Sequence, residues 1–154
     1  MSAYHAAYAE LPIGAHLVTP RGRFTHHGIY VGKGRVIHYA GLCEALRAGP
    51  VEEVSLAEFA RGNGIRIEGS VHPSFSRDQI VARARSRLGE MRYRLLTNNC
   101  EHFCTWCIRG KSRSRQVRRC LTRPDHAVRV AIALLGLATK LRTAASIPVA
   151  GLSA

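Results

Sequence analysis

The chain has 154 residues, 46% of them hydrophobic, and a formal net charge of +13. That length suits one domain with a real core, and the composition excludes collagen-like, repeat and low-complexity chains. A positive field of this size favours anionic partners, either nucleic acid or a membrane surface bearing acidic lipids.

The opening residues, MSAYHAAYAELP, lack the basic n-region and apolar h-region of a secretory signal. The expected compartment is therefore the cytoplasm, where thiols stay reduced. Five cysteines, an odd number, then predict no disulfide framework.

In chain order, GAHLVT (14–19) predicts a first short strand. THHGIYVGKGRVIHYAG (25–41) predicts a β-hairpin about a tight GKG, where glycine supplies positive φ. Ser55 with Glu58 reads as a capping box opening a short helix that stops near Gly62, and IRIE (65–68) as a further strand. Ser76 with Gln79 opens a second helix. Its apolar positions Ile80, Ala84 and Leu88 leave an arginine-rich outer face, with Gly89 as its end. YRLL (93–96) leads into a turn at TNN, after which a helix is expected from about Cys100 to Gly110.

Residues 111–125, KSRSRQVRRCLTRPD, hold six Lys/Arg against one Asp, an anion-attracting segment. The run lacks interleaved aromatics for base stacking, so nucleic acid is not the expected partner. Beyond it, 127–141 is apolar almost all round. Its uncharged core, 130–139, is too short for the roughly 20 residues a bilayer-spanning helix needs. A buried helix or one lying in the membrane interface is expected instead.

The chemistry concentrates in NNCEHFCTWC (98–107). On a helix, Cys100, Phe103, Cys104, Cys107 and Ile108 form one apolar stripe, which accounts for Cys104 and Cys107 as small buried hydrophobes. Cys100 differs by position: behind the N-cap residues Asn98 and Asn99 it enters the first turn, where unpaired N–H groups and the helix dipole favour a thiolate. The spacing of the three cysteines also matches an iron–sulfur pattern, but a continuous helix with Phe and Trp between the ligands suits it poorly. A structural zinc needs four ligands, and there is one Cys-x-x-Cys with no second. That Cys-x-x-Cys is also mid-helix, away from the N-terminal place of a redox pair. No metal or cofactor is expected.

A nucleophile needs a base, and the hairpin offers His26, His27 and His38. A three-residue loop would pair Val31 with Arg35 and put His26 on the face of His38. A two-residue loop would shift the register and put His27 there. Residue physics leaves both open.

Taken together, THHGIYVGKGRVIHYAG and NNCEHFCTWCIRG resemble the lecithin:retinol acyltransferase-like family, a circularly permuted branch of the NlpC-type, papain-like thiol enzymes. The similarity runs from about Gly14 to Val117. It implies an α+β fold in which a small antiparallel sheet packs against helices, with a catalytic domain over 1–125 and a hydrophobic C-terminal segment over 126–154. The family's motif lands on Cys100 as nucleophile, His26 as base and His38 as the residue orienting it, which selects the three-residue-loop register. His27 departs from the Trp or Tyr common at its position, so a share for it in the role of His26 stays open.

The implied activity is acyl transfer or phospholipase A-type hydrolysis from a phospholipid through an acyl-thioester, with the acceptor unspecified. The basic 111–125 segment and the apolar C-terminal segment would dock the enzyme on an anionic membrane surface. Two other functions fit parts of the pattern. One is a Cys-His amidase or peptidase of the same fold, and the other a non-enzymatic basic module binding membrane or nucleic acid.

Overall fold

The structure is a computed structural model that describes residues 11–22, 24–41, 48–69 and 72–123, together with 125, 128, 131 and 132. His5, His126 and nearly all of the expected C-terminal segment lie outside the described residues. The sheet has five antiparallel strands in the order β4-β3-β2-β1-β5: β1 (His16–Arg21), β2 (Phe24–Gly32), β3 (Arg35–Gly41), β4 (Ala48–Ser55) and β5 (Arg66–Ile67). The helices delimited among the described residues are α1 (Leu56–Ala60), α2 (Arg77–Arg85), α3 (Cys100–Arg109) and α4 (Arg115–Thr122). This is the α+β arrangement the sequence led one to expect.

The β2–β3 turn resolves the register question in a way neither loop length anticipated. Gly32 pairs directly with Arg35, leaving a two-residue turn in which Lys33 (φ 51°) and Gly34 (φ 69°) are both left-handed. A bulge between Tyr30 and Gly32 absorbs the extra residue. The strand bodies therefore keep the three-residue-loop register, with Tyr30 opposite Val36 and Gly28 opposite His38. His26 and His38 share a face because the bulge restores what the short turn would have shifted.

Alternation along β2 divides the core into two layers. Tyr30 and Val36 join Leu17, Leu56 and Phe59 on the side covered by α1. Ile29, Val31, Ile37 and Tyr39 join Cys100, Phe103, Cys104, Cys107 and Ile108 of α3, with Ile80, Val81 and Ala84 of α2, on the other. The cysteine stripe is fully accounted for in this second layer. Burial pushes the Cys107 thiol up to about 12 and holds the Cys104 thiol well above its ordinary range, so both are inert apolar groups at neutral pH.

Both serine capping boxes form. Helix α2 is shorter than its apolar spacing suggested, ending at Arg85, with Leu88 44% exposed in the turn that follows. Its arginines also do not all face outward. Arg83 donates to the carbonyls of Trp106 (2.9 Å) and Cys107 (3.1 Å) and lies over the rings of Phe75 and Trp106. That clamp ties α2 to the last turn of α3. Among the described residues, no helix is long and apolar enough to cross a membrane.

Candidate active site

The expected nucleophile is the first residue of α3, and the local sequence dictates that start. Asn99, with extended backbone, caps the helix: its side chain accepts from the His102 N–H (3.0 Å), and His102 Nδ1 accepts from the Asn99 N–H (3.4 Å). Asn99 Nδ2 also donates to the Leu95 carbonyl (2.8 Å), which fixes the approach of the preceding loop. At the far end Gly110 (φ 70°) closes the helix in the left-handed region. Cys100 is buried, as the first knob of the α3 stripe.

His26 and His38 meet on the neighbouring strands β2 and β3. Their rings lie edge to face, His26 Nε2 is 2.9 Å from His38 Nδ1, and both rings lie against Phe59 of α1. His38 Nε2 in turn faces the Glu52 carboxylate at 3.4 Å. With the His38 proton on the Nε2 that faces Glu52, His38 Nδ1 would accept from His26 Nε2–H and leave the His26 lone pair on Nδ1. Glu52 was not visible in the sequence as a partner, because β4 itself was not.

Burial keeps these imidazoles neutral. His38 is lowered to about 4, and His26, also disfavoured by the neighbouring His38 charge, lies well below the usual histidine range. A hydrogen bond joins His26 to His38, and Cys100 packs in the layer on the α3 side.

A second imidazole pair occupies that α3 side. His16 Nε2 is 2.9 Å from His27 Nδ1, and burial lowers the two to about 3 and about 4 respectively. His16 stands on β1, and only the β1–β2 register, Val18 opposite His27, brings it into reach. His27 Nε2 is met by Thr25 Oγ1 (3.0 Å) and by Gln116 Nε2 (3.2 Å). Gln116 also bonds the Thr25 backbone through both ends of its amide, which fixes that amide's orientation. Both ring nitrogens of His27 are therefore engaged in structural bonds.

Glu101, beside the expected nucleophile, is the residue the sequence concealed most fully. It is buried, accepting from Ser114 Oγ (2.6 Å) and the Gln116 N–H (3.1 Å), with Arg115 Nε at 3.7 Å. Burial works to raise its carboxyl, but Ser114, His27 and the backbone N–H groups opening α4 outweigh it and hold the group below the ordinary carboxylate range. A carboxylate at a helix N-terminus is the favoured arrangement, so Glu101 anchors the basic helix α4 to α3.

Comparison with known proteins places this arrangement in context. Residues 9–113 match the family described as Lecithin retinol acyltransferase. The chain is 33% identical over 132 residues to Phospholipase A and acyltransferase 2 of Homo sapiens, covering 75% of this chain and 79% of that one. It is 28% identical over 159 residues to Lecithin retinol acyltransferase of Mus musculus, covering 82% and 69%. To Phospholipase A and acyltransferase 4 of Homo sapiens it is 30% identical over 112 residues, covering 62% and 68%. The matched span includes the histidine hairpin, the capped cysteine helix and the loop between them, and on that ground the chain belongs to the lecithin retinol acyltransferase family.

Proposed function

We propose that this protein is a thiol-dependent acyltransferase or phospholipase A-type hydrolase that takes a fatty acyl group from a phospholipid ester onto Cys100. The observation that carries the reading is the hydrogen-bonded His26–His38 pair on a hairpin of the family's pattern, in a chain whose Cys100 opens an asparagine-capped helix. The relatives' names, acyltransferase and phospholipase A, point to the same bond.

In this reading His26 takes the thiol proton of Cys100 on its Nδ1 lone pair, and His38, backed by Glu52, holds and charge-stabilises the imidazolium. The sulfur attacks the ester carbonyl, and the first-turn N–H groups of α3 hold the oxyanion. A carbon–sulfur bond replaces the carbon–oxygen bond, and the departing lysophospholipid oxygen receives the proton from His26. Water or an acceptor alcohol or amine then gives its proton to His26 and takes the acyl group, restoring the thiol. The membrane supplies the substrate, and the cationic 111–125 segment and the apolar 126–154 segment dock the enzyme there.

One observation favours a second assignment of the base. Alternation along β2 sets His27 with Ile29, in the layer that also holds Cys100. Its lone pair would first have to leave Gln116 and Thr25. Single variants separate the two readings with phosphatidylcholine vesicles as substrate. Under the first, His26→Asn lowers kcat by about 10²–10⁴-fold, the range for a lost general base, and His27→Asn keeps most of the rate. The reverse pattern would transfer the role to His27. Equal, small losses would remove both histidines from the chemistry.

A further inference from the structure

We propose that the hollow just ahead of Cys100 seats one phospholipid of a bilayer, with Arg92 and Arg94 holding its phosphate while Met91 and Leu96 enter the acyl region. The substrate class rests on the acyl-transfer reading, but the binding does not require the thiol.

A cavity of about 590 Å³ is lined by Met91, Arg92, Tyr93, Arg94, Thr97 and Asn98, so its wall ends two residues before Cys100. That volume is in the range of small-molecule sites. The wall is fixed from behind. Arg94 and Asn98 exchange backbone hydrogen bonds (3.1 and 2.8 Å), and Asn98 Nδ2 donates to the Arg92 carbonyl (2.8 Å). Tyr93 packs edge-on against Tyr39, and the Arg92 N–H donates to Tyr39 Oη (2.6 Å). The one acid of the stretch, Glu90, is occupied by Arg87, Tyr39 and Asn98.

By contrast, among the described residues the guanidinium groups of Arg92 and Arg94 enter no hydrogen bond or ion pair, although the backbone carrying them is fully engaged. Met91 is 66% exposed and Leu96 57%, with Leu88 and Leu95 also open on the same short stretch. Large apolar side chains beside guanidinium groups match the order of a leaflet, acyl chains within and phosphates above. A protein groove would leave the two cations without acids, and a free phosphate would leave the apolar residues in water. The basic helix α4 also exposes an apolar residue, Leu121, but Arg92 and Arg94 are the cations that border the cavity before Cys100.

The test uses the full chain carrying Cys100→Ser, so that no acyl group is transferred, and vesicles of phosphatidylcholine alone, whose zero net charge removes diffuse attraction. The parent is expected to sediment with the vesicles. Arg92→Gln/Arg94→Gln, and separately Met91→Ser/Leu96→Ser, should weaken partition by about tenfold or more, equivalent to two lost phosphate contacts. The charge-matched Arg118→Gln/Arg119→Gln should change it by less than about twofold, in keeping with surface charges that meet no net field. Unchanged thermal melts would exclude unfolding, as expected for side chains in solvent. The proposal is overturned if the parent fails to sediment, or if the two arginine doubles behave alike. Vesicle binding by this pattern in a protein whose wild type never becomes acylated would refute the chemistry and leave the lipid seat standing. Acylation with partition indifferent to Arg92 and Arg94 would do the opposite.

Discussion

Glycine at 41 is demanded by a neighbour rather than by its own backbone. A Cβ there would stand 2.5 Å from the Tyr93 ring, which is itself packed on Tyr39 and lines the cavity before Cys100. Gly41→Ala should displace Tyr93, cost about 1–3 kcal/mol as an overpacking change, and weaken vesicle partition, all measurable by chemical denaturation and sedimentation. Glu52 makes a different kind of demand. It faces His38 Nε2 at 3.4 Å, and in the proposed relay a proton there leaves the His26 lone pair on Nδ1. Glu52→Gln keeps an acceptor oxygen but loses the charge, so under the proposed mechanism kcat should fall with KM little changed, and Glu52→Asp should recover part of it. A Glu52→Gln enzyme with wild-type kcat would remove the carboxylate from the relay.

At the scale of elements, helix α3 depends on its cap. Asn99→Ala removes the acceptor for the His102 N–H and the donor to the Leu95 carbonyl. It should cost roughly 1 kcal/mol, within the usual range for a lost N-cap, and it should lower activity more than stability because Cys100 is the next residue. Urea melts beside initial rates would show it. This helix was legible in advance because three local signals agree: an asparagine pair, a stripe at helical spacing and a terminal glycine. The hairpin was legible too, in its strands and its glycines, although its turn was not. A bulge leaves no compositional mark beyond a glycine, so the choice between two loop lengths concealed a third solution. Strand β4 escaped notice because AGPVEEVS carries Gly, Pro and paired acids, all poor strand formers. As the edge strand next to β3 it tolerates Pro50. Glu101, His16 and Glu52 escaped because each acquires its partner from an element far away in the chain. No periodicity encodes such pairs.

For the molecule as a whole, the buried imidazoles set its response to acid. His16, His27 and His38 are held at about 3, 4 and 4, and His26 is depressed as well, while in the unfolded chain each titrates near the ordinary 6.5. Between those limits the unfolded chain binds protons that the folded one does not. Stability from these groups is therefore fully present above about pH 6.5 and is lost progressively as pH falls towards 4. Glu90, held near 2 mainly by Arg87, adds a loss that begins as pH falls through the ordinary value of 4.5 and runs down to about 2. The melting temperature should consequently drop between pH 7 and pH 5, before any carboxylate titrates. His16→Asn/His27→Asn should flatten that slope, and a melting temperature constant over this interval would contradict the burial of neutral histidines. The positive charge of the chain works in the same direction, since each added proton increases self-repulsion.

The most direct test of the account is the intact mass of the protein after incubation with phosphatidylcholine vesicles, wild type beside Cys100→Ser. The account predicts a wild-type species heavier by one fatty acyl group, labile to hydroxylamine, with lysophospholipid released in step and neither product from Cys100→Ser. Unmodified wild type without lysophospholipid, or equal modification of both proteins, would contradict it.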